Sequence, residues 1–193
     1  YNMETSIAYL ESIRKQFLYY KTLAEKTFEQ LRPDQLFVAL NDDTNSIAVI
    51  VQHISGNMLS RWTDFLTSDG EKDWRNRDAE FETILSTKEA LLVAWNKGWD
   101  CFLPALQELQ PQELMQIIYI RHEGHSVVEA INRHLAHYSY HIGQIVFYGK
   151  LLKTTEWNSL SIPKNKSTDY NSGKFSKEKT IKNFTEEELK RLQ

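Results

Sequence analysis

The chain has 193 residues, 41% of them hydrophobic and 25% charged, a balance that suits one globular domain with a sizeable core. A net charge of −3 argues against general nucleic-acid binding, which needs a basic footprint, and no apolar run reaches the roughly 18 residues of a membrane span. The lone cysteine, Cys101, excludes an internal disulfide, and Glu4, Glu11 and Arg14 interrupt any leader-like apolar stretch, so a cytoplasmic protein is expected.

Seven glycines and four prolines leave few breakers, which favours long helices. Residues 4–31 carry Ile7, Leu10, Ile13, Phe17, Tyr20, Leu23, Phe28 and Leu31 at helical spacing. Arg32-Pro33 ends that helix, because the residue before proline is pushed out of the helical region. The polar cluster at 41–45 offers N-caps for a second helix, 46–66, whose stripe is Ile47, Ile50, Ile54, Met58, Trp62 and Phe65. His53 lies off that stripe, with Ser46, Asn57 and Ser60, and taken alone reads as a half-exposed histidine. Residues 67–86 form a charged connection around Trp74, Arg75, Arg77 and Asp78. An aromatic among arginines can hold an anion; the favoured reading is an ordered loop stapled by Trp74 and ion pairs.

A third helix is expected over 87–109, kinked where Pro104 removes a backbone hydrogen bond. Cys101 within it reads as a small buried hydrophobe. Ile117 to Ile120 are β-prone and Glu123-Gly124 can turn, so a hairpin or extended segment should carry His122 and His125 to the next helix. That fourth helix, 126–152, opens on a capping box of Ser126 and Glu129. Ile131, Leu135, Tyr138, Ile142, Ile145 and Leu152 share one side of it, and His134, His137 and His141 share a neighbouring face. Residues 1–163 thus read as one helical domain. Residues 164–193 read as an extended lysine-rich tail, held near Trp157 and Ile162, with Thr185 and Glu188 able to cap one short last helix.

Two helix histidines at i and i+4, His137 and His141, can share one ion, and a third imidazole from another helix would complete a three-nitrogen site. Neutral imidazoles leave the full charge on the metal and keep coordination positions open, as catalytic sites require. Imidazole suits zinc, nickel, copper and iron, with zinc or nickel the expected choice. His134 and His137, at i and i+3, form an alternative pair; His134 and His141 are about 10 Å apart along the axis and cannot share an ion. Tyr138, Ser139 and Tyr140 separate His137 from His141, so the glutamate of a zinc-protease HExxH is missing. Asn57 and Gln144, one turn from His53 and His141, can orient a ligand's second nitrogen or a substrate.

The run HLAHYSYHIGQIVFYGKLL, with HxxxH followed by GQI, resembles the last bundle helix of the DinB/YfiT-like metalloenzyme superfamily. NSIAVIVQHISGNMLSRWTDFL looks like that superfamily's second helix, and TSDGEKDWRNRDAEF resembles one uncharacterised branch. The likeness spans about residues 4–163. It implies an all-α, up-and-down four-helix bundle, often dimeric, with a divalent-metal site of His53, His137 and His141, and it leaves His134 to packing or to supporting the ligands. Some members transfer or isomerise with low-molecular-weight thiols such as bacillithiol, mycothiol or glutathione. Others are described only as metal-dependent hydrolases, and many have no known activity. The expected function is therefore a metal-dependent thiol S-transferase acting on a small molecule, as a homodimer with no nucleic-acid or membrane partner. A metal-dependent hydrolase and a non-enzymatic, stress-associated metal-binding bundle are the alternatives.

Overall fold

The computed structural model describes residues 2–82 and 85–192; of the 67–86 connection, residues 83 and 84 lie outside the described residues. The protein is predominantly helical. Helices α1 (Met3–Gln30), α2 (Ile47–Trp62), α3 (Lys88–Glu108) and α4 (Val127–Leu152) follow one another, with a hairpin of β1 (Ile117–Ile120) and β2 (Glu123–Ser126) leading into α4. Two further helices follow, α5 (Ser167–Phe175) and α6 (Phe184–Leu192). Among the described residues no helix is long and apolar enough to cross a membrane.

Local chemistry sets the helix starts. Ser46 Oγ accepts from the Val49 amide at 3.2 Å, and Thr87 Oγ1 from the Ala90 amide at 3.1 Å. At α4 the box is complete: Ser126 Oγ accepts from Glu129 N, and Glu129 Oε2 accepts from Ser126 N at 2.8 Å. Helix α2 ends at Trp62, short of the expected residue 66, because the chain turns through Asp64 in the left-handed region, φ 48°. Helix α3 runs through Pro104, and Arg14 of α1 donates to the carbonyls of Leu106, Gln107 and Leu109 at its end.

Helix α2 is the centre of the molecule: 13 of its 16 residues are buried. It packs against α3 and α4, while α1 packs against α4 and α3. At Gly98 of α3 a Cβ would lie 2.9 Å from the Ser55 backbone of α2, so that seam closes only because Gly98 has no side chain. Phe17, Trp62, Trp95, Trp99, Phe102 and Tyr138 fill the interior, with the Phe17 and Phe102 rings edge-on at 4.6 Å.

The hairpin pairs Ile117 with Ser126 and Ile120 with Glu123, so its turn is Arg121-His122 and not Glu123-Gly124. Both turn residues have positive φ, 57° and 64°. Asp69 offsets that strain by accepting from both their amides at 2.8 Å. The 67–82 loop is ordered, but Trp74 is 60% exposed and is no staple; the arginines hold the loop instead. The tail is not simply extended: the short last helix expected there forms as α6, and α5 is an addition. Helix α5 has no buried residue and so no apolar stripe to be read in sequence. Helix α6 lays Thr185, Glu188 and Leu192 inward and packs on α1, with Lys15 bridging Glu186 at 2.7 Å.

Candidate metal centre

His53 sits midway along α2, and His137 and His141 one turn apart on α4. The helices are locked beside them: Tyr138, fully buried, donates its hydroxyl to Asn57 Oδ1 at 3.1 Å. Because Asn57 lies one turn from His53 and Tyr138 follows His137, this bond sets how the two helices face each other. Asn57 Oδ1 is thereby taken up by Tyr138 and not by an imidazole. His53 is only 5% exposed, not half-exposed, because α2 is covered on its off-stripe side by the turn Asp78–Phe81.

The three rings converge. His53 Nε2 lies 3.3 Å from His137 Nε2, and His141 Nε2 lies 3.0 Å from the same atom. One ligating atom from each falls within 4.8 Å of the others. His53 Nδ1 donates to Glu80 Oε2 at 2.9 Å, and His141 Nδ1 donates to Gln144 Oε1 at 2.8 Å. In neutral rings those bonds place the His53 and His141 protons on Nδ1, leaving both Nε2 atoms with bare lone pairs. His137 Nε2 faces both and can carry at most one proton. Three ring nitrogens therefore meet with too few protons to satisfy one another, and a cation at their centre removes the conflict. Two of the three separations, 3.3 and 3.0 Å, are close to the roughly 3.3 Å between tetrahedral nitrogens around zinc, and the third falls within 4.8 Å.

The electrostatics favour the neutral ligand form. Burial, reinforced by His141 and His53, pulls the His137 pKa down to about 3. Burial also lowers His141, against the opposing pull of Gln144. His134 is 4% exposed, stacks on Tyr138 at 5.5 Å and leaves its Nδ1 without a partner; burial holds its pKa well below the ordinary range. It packs in the core beside the cluster and is not one of the three convergent rings.

Glu80 is the residue that the sequence does not reveal: no carboxylate stands at helical spacing from the histidines, and this one reaches His53 from 27 residues away. Burial works to raise its pKa, but hydrogen bonds from His53 and Arg75 outweigh this and keep it ionised. Arg75 donates to Glu80 through Nε at 2.7 Å and through a terminal nitrogen at 2.9 Å. Both carboxylate oxygens are thus engaged, so Glu80 orients His53 and is not free to serve as a base. Gly56, three residues from His53, admits it: any Cβ there would collide with the carboxylate. No periodicity marks such a contact, because Glu80 arrives from an irregular loop.

Compared with known proteins, the chain matches the family described as a protein of unknown function, DUF1572, over residues 4–166. The chain belongs to the DUF1572 family. No curated protein and no solved structure matches it. In this DUF1572 protein the matched segment contains all three convergent histidines and Glu80. A larger groove, about 640 Å³, lies between α1 and α3 near Leu18 and Trp99, but no cluster of metal-binding groups borders it among the described residues.

Proposed function

We propose that this DUF1572 protein is a divalent-metal-dependent enzyme of the DinB/YfiT-like type, acting in the cytoplasm on an up-and-down four-helix bundle of α1 to α4. The packing of α1 on α4 and α3, and of α2 on α3 and α4, supports the bundle. His53, His137 and His141 would hold the ion, with Glu80 and Gln144 fixing the first and last rings. The observation that carries the reading is the convergence of three imidazole nitrogens, one from each ring, within 4.8 Å of one another. When bound, zinc or nickel supplies a Lewis-acid centre with open positions, able to stabilise a thiolate at neutral pH.

The reaction we favour is S-transfer from a low-molecular-weight thiol to a small electrophile. Hydrolysis is usually assisted by a free carboxylate base, and the one carboxylate at the cluster is spent on Arg75 and His53. The chain's own residues then bind and orient the thiol, while the buried, neutral His137 adds no positive charge of its own. The test is a conjugation screen with bacillithiol, mycothiol and glutathione on metal-loaded protein. Metal-dependent conjugation that His137→Ala abolishes is expected. Ester or amide hydrolysis without conjugation would replace this reading with the hydrolase. Loss of neither activity nor metal in His137→Ala would remove the site.

A further inference from the structure

Beside the three histidines lies a pocket of about 250 Å³, bordered by His53 and His137 on one side and by five arginines on the others. The guanidinium groups come from separate parts of the chain: Arg61 on α2, Arg75 and Arg77 on the 67–82 loop, Arg121 at the hairpin turn and Arg133 on α4. No carboxylate lines it among the described residues. Two carboxylates stand behind the arginines. Glu71 accepts from Arg61 and Arg121 at 3.0 Å each and lies 3.8 Å from Arg75, while Glu80 takes Arg75 at 2.7 Å. Arg77 rests over the Phe81 ring at 5.1 Å. Arg77 and Arg133 have no carboxylate partner among the described residues.

A solvated rim would explain exposed arginines, but not this arrangement. Arg61 is 7% exposed and the Arg75 side chain 2% exposed, so the positive charge extends into the protein, where water screens it poorly. Burial together with Arg75 and Arg121 makes the Arg61 guanidinium harder to keep charged, despite Glu71. Five like charges against two carboxylates in a small cavity call for an anion. Guanidinium groups match planar and tetrahedral oxyanions through paired N–H donors. At about 30 Å³ per water, the cavity has room for about eight waters, which fits a small acid and not a polymer.

We infer that this pocket binds the oxyanion of an acidic small molecule, a carboxylate or a phosphate, with Arg77 and Arg133 as the groups free to receive it. That the anion belongs to the substrate rests on the metal-enzyme reading above; that the pocket binds an anion does not. Anchored there, the molecule has its reactive end beside His53 and His137. The charge also predicts selectivity: acidic electrophiles or acidic thiols are preferred over neutral analogues of the same size.

The test is calorimetric titration of the full-length protein, metal-free and zinc-loaded, with succinate and with inorganic phosphate at low salt. Zinc affinity is measured on the same samples. At least one anion should bind with one site per chain, and the preferred anion names the headgroup. Arg77→Gln and Arg133→Gln should each weaken that binding about tenfold, the worth of one charge-assisted hydrogen bond, and should not lower zinc affinity, since each removes a positive charge near the cation site. Both residues are exposed, so the variants should fold. Failure of both anions to bind, or equal binding to wild type and variants, overturns the inference while leaving the zinc result to judge the enzyme reading. Arginine-dependent anion binding without zinc binding upholds the pocket and removes the metal enzyme.

Discussion

His134 lies three residues before His137 on α4, yet its ring is sealed against Tyr138 and Trp62 with an unpartnered Nδ1. The two histidines should therefore respond differently to substitution. His137→Ala and His141→Ala should abolish tight zinc binding in titration; His134→Ala should keep it and instead lower thermal stability by about 2–3 kcal/mol, the cost of a core cavity. The pH response of His134 has a definite sign. Its folded-state pKa is well below the ordinary 6.5, so below pH 6.5 the unfolded chain takes a proton that the folded chain refuses. Stability should fall as pH drops from 6.5, by up to about 1.4 kcal/mol per unit from this group alone. His134→Leu should flatten that slope in denaturant melts at pH 7 and pH 5; an unchanged slope would contradict the buried neutral ring. The i, i+4 spacing of His137 and His141 is written in the sequence. The burial of His53 is not, because helical periodicity reports the stripe on one element and is blind to a loop that covers its other side.

At the level of elements, polar contacts tie the 67–82 loop to α2 on one side and to the hairpin turn on the other. The sequence points to an ordered loop held by Trp74 and ion pairs; the ion pairs of Arg61 and Arg75 hold it, and the exposed Trp74 does not. Glu80 should matter through His53: Glu80→Gln should cost about 10–100-fold in zinc affinity, as loss of a ligand's orienting partner does elsewhere. Gly56→Ala, which pushes the same carboxylate away without touching its charge, should weaken zinc in the same direction. Full affinity in both variants would mean that Glu80 holds the loop and nothing more. The hairpin was legible from Ile117 to Ile120, but its turn was not. Two left-handed residues without glycine are tolerated because Asp69, distant in sequence, accepts their amides. Hydrogen bonds from the Glu71, His122 and Arg121 amides outweigh burial and hold the Asp69 pKa at about 2. His122→Gly should stabilise the protein by roughly 0.5–1 kcal/mol, since glycine adopts positive φ without a Cβ clash. A loss of stability would show that the His122 side chain makes a contact worth more than that strain.

For the whole molecule, the four long helices were legible from apolar spacing, although α2 stops at Trp62, short of the expected 66, and buries 13 of its 16 residues and not one stripe alone. Helix α5 was not, since it buries nothing. The expectation of a homodimer stands as a proposal. On α4, Tyr140, Phe147 and Leu151 form one exposed stripe, with Phe147 73% exposed. Light scattering should give about twice the 22.7 kDa chain mass, and Phe147→Asp should lower it toward one chain if that stripe is the interface. The central claim is that His53, His137 and His141 act together on one divalent ion. It is tested most directly by zinc titration of protein made without an affinity tag, comparing wild type with His141→Ala and His134→Ala. One tight site per chain is predicted in wild type and His134→Ala, and none in His141→Ala. Binding lost in His134→Ala but kept in His141→Ala, or absent from wild type, would contradict it.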